Sequence, residues 1–241
     1  MRLHSRAILL QLLLLLALPG YTQELPPIQQ FTPIDYGSGN QNWAIAQASD
    51  KLIYVANDGG LLEFNGARWQ LYPSPNETIM RSVHVIGDKI YTGCYMEFGY
   101  WAKNNLGTLE YTSLSQALNL QLVEDEEIWG IIGLDQYIVF QSLNRIYIYD
   151  TAKETVQVID SEEMISKMVK VGEEIYFHKV GKGLYKIENG RATLYIGDAA
   201  LQSHDVINLF ADAEGLLILT RDNGFYSYID GTLQWLNDPV N

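Results

Sequence analysis

Cysteine is almost missing from these 241 residues, with Cys94 the single instance. One thiol excludes an intrachain disulfide, a thiolate metal site and a Cys-x-x-Cys redox pair. Histidine occurs four times, as His4, His84, His178 and His204, and none has a metal-like partner at short spacing. Basic residues are few, 16 against 29 acidic, for a net charge of −13. Such a chain has little with which to neutralise phosphates, which argues against a nucleic-acid duplex as partner. Long hydrophobic runs are also absent. The apolar stretch from Ala7 to Leu18 is twelve residues, interrupted by Gln11, whereas a spanning helix needs about 20. Charge is sparse at 19% and aromatics reach 12%, a balance foreign to disordered acidic tails and to coiled coils.

What is present begins with an address. Arg2 and Arg6 precede the short apolar run, Pro19 and Gly20 break it, and Gly20-Tyr21-Thr22 supplies small residues ahead of Gln23. This predicts a secretory signal peptide over residues 1–22 and a periplasmic mature chain over 23–241. A retained membrane anchor is the alternative. With no cysteine near the cleavage point, a lipoprotein is excluded. The mature chain would be still more acidic. Cys94 lies within the strand-like run Ile90–Tyr95, and is expected to be a small core residue rather than a nucleophile.

Beyond residue 40 one grammar recurs: a strand, a Gly or acidic turn, an apolar strand, a second turn, an aromatic strand and a closing strand. The apolar second strands are Leu52–Val55, Lys89–Thr92, Tyr137–Phe140, Glu174–Phe177 and Leu216–Leu219. Aligned on Tyr54, Tyr91, Val139, Tyr176 and Ile218, they are spaced by 37, 48, 37 and 42 residues. Asn65-Gly66, Asn189-Gly190 and Asp230-Gly231 provide hairpin signals. Four short strands in about 40 residues is the mark of a β-propeller blade. A lone four-stranded sheet cannot bury both faces, whereas radial stacking covers each face with a neighbour. Second strands lie mid-sheet and are therefore apolar throughout rather than alternating. A flat solenoid or sandwich fits the regular unit less well.

The fold class expected is thus all-β, a propeller of four-stranded blades over residues 41–78, 79–123, 124–163, 164–204 and 205–241. The long spacing reads as an insertion around residues 102–123, with Ser113–Leu118 a short helix outside the ring. Five blades are present, and the ring is expected to be an open part of a larger, seven-bladed one. Gln30–Ile34 is the candidate closing strand, confined to an edge by Pro33.

Asp205–Tyr226 resembles the two-component regulator propeller repeat, an apolar strand followed by Asp-x-x-Gly, Leu-Trp-Ile-x-Thr and Asn-Gly-Leu, with Leu217 in place of the usual Trp. Gln41–Ile45, Asn57–Gly66 and Tyr91–Trp101 resemble the branch found in large sensor-regulators of Bacteroidetes. The resemblance covers roughly residues 31–241. It implies periplasmic propellers, a triple-tyrosine domain, a transmembrane helix and a kinase or DNA-binding output module. Those later modules are not encoded in this chain, so the resemblance implies a ligand-sensing propeller domain of a transmembrane signal-transduction regulator, homodimeric in full length. Its ligand would be a small, glycan-derived molecule.

No nucleophile elbow, metalloprotease helix or phosphate-binding loop occurs. No catalytic residue, metal ligand or cofactor is assigned, and the chain is not expected to be an enzyme. An exported polysaccharide-active propeller enzyme and a protein-interaction scaffold are the competing functions. The acidic run Glu124–Glu127 reads as a solvated loop, and His178 as a satisfied strand-end residue. Asn57-Asp58 and Asp222-Asn223 read as turn chemistry. In the dense segment 95–101, Tyr95, Glu97, Tyr100 and Trp101 are the candidate ligand contacts. Aromatic faces with one carboxylate suit sugar or peptide stacking, and blade packing explains them equally well.

Overall fold

In the computed structural model, which describes residues 28–236, each of the five apolar runs expected to be a second strand is the second strand of a four-stranded antiparallel sheet. The expected signal peptide lies outside the described residues. The first sheet is β1 (Asn42–Gln47), β2 (Ile53–Asn57), β3 (Gly60–Phe64) and β4 (Trp69–Pro73). The second is β5 (Met80–Ile86), β6 (Lys89–Cys94), β7 (Glu97–Lys103) and β8 (Leu109–Ser113). The third is β9 (Gly130–Leu134), β10 (Tyr137–Gln141), β11 (Arg145–Asp150) and β12 (Thr155–Asp160). The fourth is β13 (Ile165–Val171), β14 (Glu174–Lys179), β15 (Gly183–Glu188) and β16 (Arg191–Ile196). The fifth is β17 (Val206–Ala211), β18 (Gly215–Thr220), β19 (Phe225–Ile229) and β20 (Thr232–Leu236). Each sheet runs in strict sequence order, as hairpin connections require.

The first strands β1, β5, β9, β13 and β17 pack side by side in succession and form the axial edge of an open β-propeller. Core clusters sit between neighbouring sheets. Tyr54 and Leu61 of the first meet Ile90 and Trp101 of the second, and Phe98 of the second meets Phe140 and Tyr147 of the third. Val139 meets Ile175 and Phe177, and Leu184 meets Ile218. Stacking therefore buries both faces of the middle strands in the inner sheets: after their first residue β6 and β10 are buried at every position, and in β14 so are Ile175–His178; β2 is buried in the same way, although only the second sheet stacks on it. The exception is β18, where burial alternates. Leu216, Ile218 and Thr220 face the fourth sheet, while Phe210 and Phe225 on the opposite face are 41% and 39% exposed. No packing comparable to that between successive sheets joins the fifth to the first among the described residues.

Two hairpins use the turn chemistry expected. Asn189 and Gly190 have φ of 51° and 74°, and Asp230 and Gly231 have 49° and 77°, the left-handed pair that matches strand twist. Asn65-Gly66 differs: a four-residue connection joins β3 to β4, and the Asn65 side chain caps it by accepting from the N–H groups of Ala67 and Arg68.

Two connections depart from expectation. The proposed closing strand is a single helical turn instead, α1 (Pro33–Tyr36). Pro33 at its first position has no N–H to lose there. The Asp35 carboxylate accepts from the Thr32 N–H and hydroxyl, and Tyr36 packs edge-on against Trp69 at 5.8 Å. The short helix in the long connection is present as α2 (Leu114–Ala117), capped by Ser113. It is not merely outside the ring, because Leu114 is buried in the core between the second and third sheets. A third helical turn, α3 (Ala199–Ser203), precedes β17 and buries Leu201.

Candidate functional site at the axial mouth

Four of the five sheets carry the same irregularity, a one-residue register shift at the start of the first strand. Asn42 faces Asn57 but Ala44 faces Ala56, leaving Trp43 outside the ladder. Arg81, Ser166 and Ile207 are left out in the same way in β5, β13 and β17. The third sheet has no shift within β9, and Trp129 occupies the equivalent place immediately ahead of it, its N–H donating to the Gln141 carbonyl at 2.8 Å. A bulge re-aims the side chain of the extra residue. Here it sets one residue from each sheet at the same end of the axial edge.

Three of those residues form a stack. The Arg81 guanidinium carbon lies 4.0 Å from the Trp43 ring centroid and 4.6 Å from that of Trp129. The two indoles meet edge-to-face at 6.0 Å. Planar guanidinium over an indole face is a favourable electrostatic pairing, strengthened when water is excluded. Arg81 donates from Nε and Nη2 to Glu127 Oε1, at 3.2 and 2.9 Å, while its buried Nη1 has no hydrogen-bond partner among the described residues. The Trp43 indole N–H donates to Asp58 at 2.9 Å. Both tryptophans keep more than a third of their surface open, at 38% and 36%. A cleft of about 70 Å³ opens beside Trp129, bounded by Glu124, Glu127, Ser142 and Asn144.

The acidic run is the solvated loop its composition suggests only at Glu124 and Asp125, which are exposed. Glu126 is buried and accepts from the Ser142 hydroxyl, the Tyr147 hydroxyl at 2.7 Å and the Val123 N–H at 2.9 Å. Glu127 holds Arg81, and Asp125 accepts from the Tyr95 hydroxyl, which raises that hydroxyl above its ordinary pKa. The Met96 N–H donates to the Glu126 carbonyl at 2.7 Å. This segment thus fastens the turn after β6 to the approach to β9. Runs of like charge usually point to water; here hydroxyls and one guanidinium supply the compensation that burial demands.

The four candidate contacts in 95–101 are not brought together. Tyr95 lies at the mouth beside Asp125. Glu97 is buried, its carboxylate accepting from the hydroxyls of Tyr111 at 3.1 Å, Ser113 at 2.9 Å and Ser115 at 2.8 Å. Burial first and Glu97 second push the Tyr111 hydroxyl far above its ordinary range. Trp101 is buried between the first two sheets, donating to the Thr92 hydroxyl at 3.0 Å and packing on Tyr111. Tyr100 stacks near Tyr91 and carries the Lys89 ammonium 4.1 Å above its ring. Alternation along β7 sets Tyr100 on the opposite face from Glu97 and Trp101, which share a face and are both taken up by Tyr111, while Tyr95 precedes the strand.

His178 is a satisfied core residue, bonded to the Ser166 hydroxyl at 2.7 Å and to the Leu201 carbonyl at 2.8 Å. Asn57 is more than turn chemistry. Its amide donates to the Gly39 and Gln41 carbonyls and to Asn42, and its oxygen accepts from Gly59 and Ser38, so it pins the segment before β1. Cys94 is buried, and burial pushes its thiol up to about 12. At the opposite end of the sheets a groove of about 740 Å³ separates the third and fourth. Its floor includes Val139, Ile148 and Ile175, and its rim holds Lys186 between Glu174 and Glu188, at 2.8 and 2.9 Å. Among the described residues no cluster of His, Cys, Asp and Glu is placed to hold a metal ion, and no helix is long and apolar enough to cross a membrane.

No family model and no curated protein matches this sequence. Solved structures do. The extracellular domain of BT4673 from B. thetaiotaomicron, described both as a one-component and as a hybrid two-component system, is similar over 80% of this chain, with 16% identity and a TM-score of 0.58. PorZ, a surface component of the type-IX secretion system of Porphyromonas gingivalis, is similar over 87% of the chain, with 18% identity and a TM-score of 0.60. The computationally designed protein Ika8 is similar over 80%, with 11% identity and a TM-score of 0.61. This chain spans 27% of the BT4673 domain and 28% of PorZ. At these identities the likeness is one of fold: the chain shares its propeller architecture with the extracellular domain of a Bacteroides regulator, as the repeat grammar led one to expect.

Proposed function

We propose that this chain is the extracytoplasmic, ligand-sensing propeller of a transmembrane regulator. Export, further blades and an output module carried elsewhere in the polypeptide are parts of the same reading. The observation that carries it is the mouth itself. Five sheets each present one side chain from the same structural position, and three of these gather two half-open indoles around a cation. A concave aromatic surface with a few fixed polar groups is what small-ligand recognition uses. The BT4673 domain, extracellular and part of a regulatory system by its description, supports the assignment. Glycan fragments suit such a mouth because their apolar faces stack on flat rings.

The mechanism follows from the stack's composition. Trp43, Arg81 and Trp129 belong to the first three sheets, so a ligand pressed on the indoles acts on the relation between blades. Occupancy shifts an equilibrium only through different affinity for two arrangements of those blades.

The test is a thermal-shift and tryptophan-fluorescence screen of the mature chain against an oligosaccharide panel. A saturable ligand whose binding is lost in Trp43→Ala and Trp129→Ala supports the reading. Turnover of the bound sugar would move the protein to the enzymes. A panel that never shifts the melting temperature would favour a protein-interaction scaffold.

A further inference from the structure

The five axial strands read Asn-Trp-Ala-Ile-Ala-Gln, Met-Arg-Ser-Val-His-Val-Ile, Gly-Ile-Ile-Gly-Leu, Ile-Ser-Lys-Met-Val-Lys-Val and Val-Ile-Asn-Leu-Phe-Ala. Within a chain of 29 acidic and 16 basic residues, they contain Arg81, Lys167 and Lys170, with His84, and not one Asp or Glu. Acids do occur in the strands farther out, as Glu63, Glu97, Glu110, Asp150, Asp160, Glu174 and Glu188. The acidic excess of this protein is displaced to its outer strands and loops, those at the mouth included, and every charged side chain of its axial strands is basic.

Arg81 reaches across sheets to Trp43 and Trp129. A Cβ on Gly133 of β9 would meet the Ile86 side chain at 2.1 Å and His84 Nε2 at 3.3 Å, so the glycine makes room chiefly for Ile86, with His84 alongside. Burial first and the Lys170 charge second hold His84 below the ordinary histidine pKa. Compensation of the axial cations is incomplete. Lys170 meets Glu173 at 3.5 Å at the strand's far end, and Arg81 meets Glu127 but retains an Nη1–H with no hydrogen-bond partner among the described residues. Lys167 is exposed, one residue from the mouth position Ser166, and has no ion pair among the described residues. Low-dielectric walls focus the field of such charges into the space between them.

Building on the reading of the mouth as a ligand site, the geometry points to its ligand class: a small organic anion, its ring face against one of the two indoles, its edge toward the other, and its charged group toward Arg81 and Lys167. Carboxylate, sulfate and phosphate share the chemistry, a charge-assisted bond to guanidinium or ammonium. Lys170 continues the basic lining down the axis.

The probes are trimesate, a flat ring bearing three carboxylates, and its neutral triamide, titrated against the chain from Gln23 onward with tryptophan fluorescence as readout. Trimesate should saturate and the triamide should not. Lys167→Gln/Lys170→Gln, altering two exposed side chains, should leave the melting temperature unchanged and weaken trimesate about ten-fold. Added salt should weaken the wild-type complex, because ions screen exposed charges. Equal binding by the double variant, equal binding of the triamide, or no saturation by trimesate would overturn the inference. Triamide binding that disappears in Trp43→Ala would defeat the anion and leave the mouth standing. Silence of both probes and of the oligosaccharide panel would defeat both.

Discussion

The guanidinium of Arg81 lies 4.0 Å above the ring of Trp43, a contact between two sheets made by residues that neither sheet's ladder includes. With Trp129 4.6 Å away on an adjoining side and Glu127 at its edge, Arg81 is the clasp of the first three blades. Arg81→Met should cost about 2 kcal/mol, the sum of two partly desolvated cation–π contacts. Arg81→Lys should fall between, since an ammonium keeps the charge but not the flat stacking surface. Urea midpoints of the three proteins check the order.

Glu97 was a candidate ligand contact, and its surroundings assign it a different task. Three hydroxyls from β8 and α2 converge on its carboxylate, so it ties the long connection to the second sheet. Glu97→Gln should destabilise by about 2 kcal/mol, the cost of disrupting a buried charge-assisted cluster. Affinity for any ligand of the mouth should not change, which calorimetry on the variant would show.

Acid should weaken the fold before the carboxylates titrate. Burial holds His84 and His178 below the ordinary value of 6.5. In the unfolded chain both take up a proton near that value; in the folded chain they stay neutral to lower pH. The unfolded state then binds more protons as pH falls, so this stability is full above 6.5 and lost on descending through it. His178→Gln should flatten the dependence of the thermal midpoint between about pH 7 and 5.

Hydrogen exchange should single out the fifth sheet. Amides of β18 lie under one covered face, whereas those of β6, β10 and β14 lie between two. Sub-global opening should therefore expose β18 first, and its slowest amides should exchange faster than those of the other three. Equal protection across these four second strands would contradict the open ring.

The blades were legible because burial on two faces leaves an unmistakable trace: Ile138-Val139-Phe140 can only sit mid-stack. The site was less so. A bulge is a property of pairing between strands, and nothing within Asn42-Trp43-Ala44 or Met80-Arg81-Ser82 announces which residue will leave the ladder. The signal available was positional, since Trp43, Arg81 and Trp129 each stand a few residues ahead of a turn in the repeat. Composition misled at Glu126, whose compensation comes from Ser142 and Tyr147, distant in sequence. It misled again at Gln30–Ile34, where Thr32 and Asp35 form a capping box that outweighs the apolar pattern.

The repeated bulge separates what holds the molecule together from what it displays. A residue outside the ladder contributes no strand pairing, so Trp43, Arg81, Ser166 and Ile207 share one address while differing wholly in character. The scaffold can exchange the chemistry at each of these addresses independently, one blade at a time, without renegotiating the register of any sheet. Recognition in such an architecture is spelled letter by letter around a rim, and a change of specificity needs only point mutations.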